Sequence, residues 1–176
     1  MAQSSTVFVF AIDLSDTDRQ VYENLALRVA RHPSESDEFL VARLLAYCLE
    51  FTDGIEFSRG LSDADEPPVA VRDLTGVLRA WIDVGTPSVE RLHRAAKMSP
   101  RVAVYVHKEH RQWLAEVGTA RIHRAEALEL RALDPNLIAA IVGRLERRMS
   151  FALTVADGEV FVAFADDTVS GQVTRL

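Results

Sequence analysis

The sequence has 176 residues, of which 48% are hydrophobic and 26% are charged, and this ordinary globular composition excludes a disordered or collagen-like chain. A chain of this length can bury a full core, so we predict one domain over residues 1–176. The net charge of −6 disfavours sequence-independent coating of nucleic acid, because basic residues that neutralise phosphates supply that affinity. The single cysteine, Cys48, excludes an internal disulfide and a cysteine-based zinc cage.

The apolar runs of the sequence are short. None approaches the roughly 20 residues that a membrane-spanning helix needs. The apolar stretch over residues 7–12 is too short for the core of a secretion signal, and no basic region precedes it. We therefore expect a cytoplasmic protein that has no membrane partner.

The predicted elements mix strands and helices along the chain, as in an α/β protein. In chain order they are strand 6–14, turn 15–18, strand 21–31, helix 35–50, strand 55–61, strand 77–85, helix 88–98, strand 101–107, strand 126–132, helix 136–148 and strands 150–156, 159–165 and 168–175. We expect a mixed sheet flanked by helices, with a β-rich meander at the C-terminal end.

Three local patterns carry this assignment. Residues 21–31 alternate as a strand does, although their alanine and leucine content leaves a helix open. Ser34 is the predicted cap of the helix over 35–50, with Asp37 in the fourth place of a capping box. The strand, helix and strand over 77–107 form a βαβ unit, whose strands run parallel with a right-handed crossover.

Asp83 lies at the end of a predicted strand, where aspartate is rare and where the ligand sites of α/β sheets collect. The preceding segment would turn back so that Asp83 falls opposite about residue 67, beside Asp65 and Glu66. Facing carboxylates repel each other unless a cation or a proton lies between them, and Mg²⁺ binds one or two carboxylates together with water and phosphate oxygens. The pattern predicts a magnesium site, and the alternative is a solvated strand end beside an acidic loop.

Two acids lie at the start of the helix over 35–50. Asp37 and Glu38 fall on its apolar side, which makes them candidates for a functional site. The alternative is that they only favour the helix dipole, and Asp37 also fits the capping box. Asp73 precedes Leu74-Thr75-Gly76, and we interpret it as a turn former.

Glu90, His93 and Lys97 share one edge of the predicted helix 88–98, because they are three and four residues apart. From this edge, Lys97 would point back towards a phosphate held near Asp83. The alternative is a charged outer helix face, which is the common arrangement on a surface helix.

Six blocks of residues, in one order along nearly the whole chain, resemble the YaeQ family. The blocks are 30–38 (ARHPSESDE), 60–67 (GLSDADEP), 73–76 (DLTG), 81–87 (WIDVGTP), 90–97 (ERLHRAAK) and 101–105 (RVAVY). The resemblance implies a small bacterial protein of one domain. It also implies a restriction-endonuclease-like core, because the family is grouped by fold with the PD-(D/E)XK nucleases.

The same resemblance implies a Mg²⁺-dependent site and gives a role to each acid. Glu38 would be the catalytic acid on the helix, and Glu66 or Asp65 would be the first metal ligand. Asp83 would be the second metal ligand and a catalytic residue. The carboxylates would hold Mg²⁺, which lowers the pKa of a bound water and neutralises the phosphate during phosphodiester hydrolysis.

Two positions depart from the superfamily pattern. Gly85 stands where the lysine would follow Asp83, so Lys97 on the next helix would orient the water or contact the phosphate. Pro68 stands where some YaeQ-like chains carry an aspartate. Three functions therefore stay open. The first is a Mg²⁺-dependent nuclease. The second is a nuclease-like scaffold that lacks catalysis and binds nucleic acid through a local site or binds a protein partner. The third is an enzyme that acts on another phosphorylated or small substrate at the same acidic site.

Overall fold

Strands are more numerous than helices in the computed structural model, which describes residues 4–59 and 63–176. The elements in chain order are β1 (Thr6–Asp16), β2 (Val21–Arg31), α1 (Asp37–Leu49), β3 (Ile55–Phe57), β4 (Val69–Arg72), β5 (Leu78–Val84), α2 (Val89–Met98), β6 (Val102–Val106), α3 (Arg111–Thr119), a 3₁₀ helix (Ala125–Ala127), β7 (Glu129–Leu133), α4 (Pro135–Val142), β8 (Arg148–Ala156), β9 (Glu159–Ala163) and β10 (Thr168–Arg175). Parallel and antiparallel strand pairs both occur, so the predicted α/β class with a mixed sheet is confirmed.

The first compact unit comprises residues 4–41 and 133–174, and its strands lie in the order β2-β1-β8-β9-β10. β1 pairs antiparallel with β2 and parallel with β8, and β8, β9 and β10 form the predicted antiparallel meander. Every second residue of β1 from Phe8 to Leu14 is buried, as expected for a strand with one face on a core. Residues 21–31 form a strand, so the helix that their alanine and leucine content had left open is excluded.

The second compact unit comprises residues 42–59, 63–132 and 175–176, and its strands lie in the order β7-β6-β5-β4-β3. β5, β6 and β7 run parallel and are connected by α2 and α3, so the predicted βαβ unit is confirmed. The two helices pack on these strands through buried side chains such as Leu92 and Trp113. All five residues of β6 are buried, as expected for a parallel strand covered on both faces.

The β4–β5 hairpin brings the segment before β4 next to the end of β5. Val69 pairs with Ile82, so residue 68 lies opposite Asp83, one residue from the predicted register. A bulge at Val71 and Arg72 accounts for the difference, because an extra residue on one strand displaces the pairing by one. The segments that carry the candidate site are therefore neighbours, as the sequence predicts.

The helix predicted over 35–50 corresponds to α1, but it begins later because Ser36, and not Ser34, caps it. The Oγ of Ser36 accepts a hydrogen bond from the backbone N–H of Phe39 at 3.1 Å. The predicted capping box is wrong, since Asp37 forms an ion pair with Arg31.

The structure differs from the predicted elements in three other places. The helix predicted over 136–148 is too long, since α4 ends at Val142, Gly143 follows it, and Arg148 already pairs with β1. The strand predicted over 55–61 is shorter, and its last two residues lie outside the described residues. α3 has no counterpart among the predicted elements, although two of its apolar side chains are buried four residues apart.

Within residues 4–59 and 63–176, the helices are all too short or too polar to cross a membrane. The single domain over 1–176 stays a prediction. So do the restriction-endonuclease-like core and the cytoplasmic location.

Candidate functional site

Asp83 lies at the end of β5 and is only 2% exposed. Its Oδ2 accepts hydrogen bonds from the indole Nε1–H of Trp81 at 3.0 Å and from the Nε–H of Arg91 at 2.7 Å. Its Oδ1 accepts from the backbone N–H of Val84 at 3.2 Å. Both carboxylate oxygens therefore have protein donors, which is how a buried charge is stabilised inside a fold.

The guanidinium of Arg91 provides the positive charge next to this buried carboxylate. Besides its ion pair with Asp83, it donates to the backbone carbonyls of Ala64 and Glu66, each at 3.1 Å. It also lies over the ring of Trp81, 5.1 Å from the ring centroid, which is a favourable cation–π distance. A side chain of α2 thus links β5 to the acidic loop, at the place where the sequence predicts a metal ion.

The two acids of the loop have partners of their own. The Oε1 of Glu66 lies 3.5 Å from the backbone N–H of Arg59, and the carboxylate of Asp65 lies 3.3 Å from Arg94 of α2. In the part of the chain that the structure describes, no three His, Cys, Asp or Glu side chains are grouped closely enough to hold a metal ion. This donor set does not fit Mg²⁺, because Asp83 is already neutralised and the loop acids contact basic groups or backbone.

Glu38 and Lys97, the other predicted catalytic residues, are both exposed. Glu38 lies in the first turn of α1, in the first unit, and its role stays a prediction. Lys97 lies six residues after Arg91 on α2, which places the two side chains about 120° apart around the helix. Arg91 is therefore the cation of α2 that contacts Asp83, and the role of Lys97 near a phosphate stays a prediction.

Asp73 is a turn former, as predicted from the residues that follow it. Its Oδ1 accepts hydrogen bonds from the backbone N–H groups of Thr75 at 2.9 Å and Val77 at 3.0 Å, and its Oδ2 accepts from Arg79. The hydrogen bond from the Thr75 hydroxyl, supported by Arg79 and the backbone, holds the pKa of Asp73 well below its usual range.

A group of basic side chains lies on the outer side of α2 and on the segment that follows α3. We call this group the basic surface, and its members are His93, Lys97, Arg121, His123 and Arg124. The backbone N–H of His123 donates to the Nδ1 of His93 at 3.1 Å, which joins the segment to the helix. Arg124 donates to the carbonyls of Ala96 at 2.7 Å and Ser99 at 2.8 Å, at the end of α2.

Two cations of the basic surface have neither an acidic partner nor a backbone carbonyl partner among the residues described. Lys97 and Arg121 are exposed and form no ion pair there, whereas Arg72, Arg79 and Arg144 each pair with a carboxylate. Such cations remain available for an anion from solution.

The sequence itself carries the signal of this surface. Residues 91–124 contain eight Lys or Arg and two Asp or Glu, and the rest of the chain contains twelve and twenty-four. The net charge of −6 averages over both parts and hides the positive segment. A count in windows along the chain would have found this positive segment, but not which of its cations are free, since Arg91, Arg94 and Arg101 pair with carboxylates outside it.

The comparison with known protein families decides which family this is. Residues 1–173 match the model of the family described as "YaeQ protein". This chain belongs to the YaeQ family. The resemblance seen in the six blocks of the sequence is thereby confirmed, while the grouping of YaeQ with PD-(D/E)XK nucleases stays a prediction.

Relatives and solved structures of the YaeQ family agree over nearly the full chain. The "Uncharacterized protein YaeQ" of Salmonella typhi is 28% identical over 99% of this chain and 97% of its own length, and that of Escherichia coli K12 is 27% identical over 93% and 91%. The crystal structure of a YaeQ protein from Xanthomonas axonopodis pv. citri is 34% identical, with a TM-score of 0.90 over 98% of both chains. That from Pseudomonas syringae is 29% identical, with a TM-score of 0.89 over 99% and 97%. These names state no activity, so YaeQ is a family of uncharacterised function.

A second buried charge network in this YaeQ chain has no counterpart among the predicted residues. Glu50, which is 6% exposed after the end of α1, accepts hydrogen bonds from Arg101 at 2.6 Å and from the hydroxyl of Tyr105 at 2.6 Å. Arg131 of β7 donates to the same hydroxyl at 3.0 Å, and Glu129 pairs with Arg101. The network ties the end of α1 to β6 and β7, so we interpret it as structural.

The pKa values of this network follow from burial and charge. Burial, and then the carboxylate of Glu50, raise the pKa of Tyr105 far above its usual range, so the hydroxyl stays a donor. Burial alone would raise the pKa of Glu129, but the hydrogen bond from Arg101 and the charges of Arg101 and Arg131 outweigh it and lower this pKa.

We expect the YaeQ chain to lose stability as the pH falls below about 4, the range in which carboxylates of an unfolded chain take up protons. The pKa values of Asp73, Glu109 and Glu129 are all lowered in the folded state, that of Glu109 chiefly by the backbone N–H of Arg111. A lowered pKa stabilises the fold above the unfolded value, and this stabilisation is lost as the pH falls through the folded value. Urea midpoints measured between neutral pH and about pH 3 should fall, and less steeply for Glu129→Gln. A midpoint that does not change on acidification would contradict this expectation.

Proposed function

We propose that this YaeQ-family protein binds nucleic acid through the basic surface and does not hydrolyse it. The observation that carries the proposal is the grouping of the basic surface, in which Lys97 and Arg121 are exposed and have no hydrogen-bond or ion-pair partner among the described residues. A phosphate backbone supplies the charge that they lack, and binding releases the counterions that nucleic acid holds around it.

The size of the basic surface sets the expected affinity. α2 has ten residues and is therefore about 15 Å long, which matches only four to five base-pair steps of about 3.4 Å. Few phosphates are in reach, so we expect a dissociation constant of about 10⁻⁴ to 10⁻⁶ M and a salt slope that corresponds to only a few released counterions. Binding of this strength agrees with a protein whose overall charge is negative.

The contacts of Asp83 favour binding without hydrolysis. A metal ion would have to compete with the guanidinium of Arg91 and the N–H groups of Trp81 and Val84 for the same two oxygens. Mg²⁺ gives up its bound water only at a high free-energy cost. Binding to a buried carboxylate that is already paired with Arg91 would not offset that cost. The proposal therefore gives Asp83 a structural role and places the function on the exposed face of α2.

Two matched double variants test the location of the site. Lys97→Gln with Arg121→Gln removes one Lys and one Arg from the basic surface, and Lys108→Gln with Arg111→Gln removes one of each from the loop and helix that follow β6. Fluorescence anisotropy with short labelled single- and double-stranded DNA and RNA, at about 50 and about 200 mM salt, gives affinity and salt slope. We expect the first variant to bind on the order of tenfold more weakly at low salt and to lower the salt slope by about 2, with the second close to wild type.

Three results would overturn the proposal. The first is a wild-type protein that binds none of the labelled strands at low salt. The second is an equal loss of affinity in both double variants, which would remove the site from the basic surface. The third is cleavage of the strands in Mg²⁺ or Mn²⁺ that Asp83→Asn abolishes, which would favour the hydrolytic alternative.

A further inference from the structure

The outer face of the sheet in the first unit has small side chains at its centre. Two central rows cross this face. In the first, Ala11 of β1 pairs with Ala26 of β2 and with Ser150 of β8, and in the second, Asn24 and Asp13 continue into Ala152 and Ala163 of β9. Ala11, Ala26 and Ser150 are exposed, and an open depression of 420 Å³ lies over this part of the face. Exposed faces of antiparallel pairs usually carry large polar or charged side chains, so a flat centre of this kind is unusual for a surface in water.

One large aromatic side chain stands out from the same face. Tyr22 of β2 is 60% exposed, and it lies two residues from the central row, where Asp13 pairs with Asn24. Interfaces between proteins are enriched in tyrosine, which fills a pocket on the partner and leaves its hydroxyl at the rim. A projecting tyrosine beside a shallow depression suits an isologous interface, in which the same patch of both copies meets and each copy offers both parts.

Apart from Asp13 in a central row, the charges of this face differ in sign between the two ends of the strands. Arg28 and Arg148 both lie beside Val9, at one end of the strands. Glu159 lies at the other end, where it pairs with Ala156, eight residues from Arg148 along β8. Two copies that stack with their strands antiparallel bring the basic end of each over the acidic end of the other.

We propose that this face is the interface of a homodimer, in which the outer sheet face of the first unit packs on the same face of a second copy. Four strands spaced about 4.8 Å apart, over about eight residues of about 3.3 Å each, give roughly 500 Å² per copy. Two copies then bury about 1,000 Å², which is at the lower limit of a specific interface. The dimer is therefore weak and forms in a concentration-dependent manner.

Asp13 gives this proposal a test in two directions. It lies in the central row of the face, so dimer formation takes its charge out of water. Asp13→Ala should strengthen the dimer, because it removes a charge whose burial opposes association. Ala11→Arg should abolish the dimer, because it places a long charged side chain on the flat centre.

Sedimentation velocity of the full chain over a range of concentrations measures these effects. Ala139→Arg, which places the same side chain on an exposed position of α4, is the matched control and should dimerise like wild type. We expect the wild-type dissociation constant to fall about tenfold in Asp13→Ala and no dimer in Ala11→Arg. A wild type that stays monomeric at its highest soluble concentration overturns the proposal. So does a dimer that survives Ala11→Arg, or one that Asp13→Ala weakens.

Discussion

Replacement of Asp83 by alanine is expected to lower the free energy of unfolding by about 3 kcal/mol. The change removes the counter-charge of Arg91 and leaves the buried indole N–H of Trp81 without its acceptor. It also frees the guanidinium that holds the carbonyls of Ala64 and Glu66. Urea unfolding at neutral pH, followed by circular dichroism, measures the loss.

A double-mutant cycle shows whether the ion pair is the cause. Asp83→Ala leaves the half-buried guanidinium of Arg91 without its carboxylate, and Arg91→Met leaves the buried carboxylate of Asp83 without its cation. The double variant removes both charges, so it should cost less than the sum of the single variants by about 1–3 kcal/mol. Additive losses would show that the two side chains act separately, which would contradict the pairing described above.

Replacement of Glu50 by alanine is expected to cost a similar amount, about 3 kcal/mol. Glu50 is the acceptor shared by Arg101 and Tyr105, and its loss leaves a buried hydroxyl and a partly buried guanidinium without their main partner. The melting temperature and the urea midpoint should both fall clearly below those of wild type.

Tyr105→Phe is the matched comparison for Glu50. It removes one hydrogen bond and leaves Glu50 paired with Arg101, so it should cost only about 1 kcal/mol. If the tyrosine variant proved less stable than Glu50→Ala, the network would depend on the packing of the ring and not on the buried carboxylate.

The parts of the fold that the sequence predicts well depend on neighbouring residues. The Asp157-Gly158 turn and the turn after Asp73 are local, since each requires side chains or backbone conformations within a few positions. The hairpin register near Asp83 follows from such a turn and is wrong by only one residue, where a bulge intervenes. α3 was not predicted, because its apolar positions are few and no capping side chain marks its start.

The candidate site could be predicted only in part, because some of the groups that complete it are distant from one another in the sequence. Asp83 attracts notice because aspartate is rare in strands, and its place at the end of β5 is correct. The group that neutralises it, Arg91, is eight residues away on α2, and no periodicity singles it out from the other basic residues there. Glu50 is 51 residues from Arg101 and 55 from Tyr105, so only tertiary structure brings these groups together.

Because the side chain of Arg91 links β5 to the acidic loop, this link should not depend on metal ions in the surrounding solution. The guanidinium of Arg91 is covalently part of the chain, so a chelator cannot remove it as it removes a bound metal ion. Proteins that tie such loops with a bound ion unfold locally when the ion is withdrawn. Here the carboxylate of Asp83 and the carbonyls of Ala64 and Glu66 should stay in place in EDTA as firmly as in magnesium.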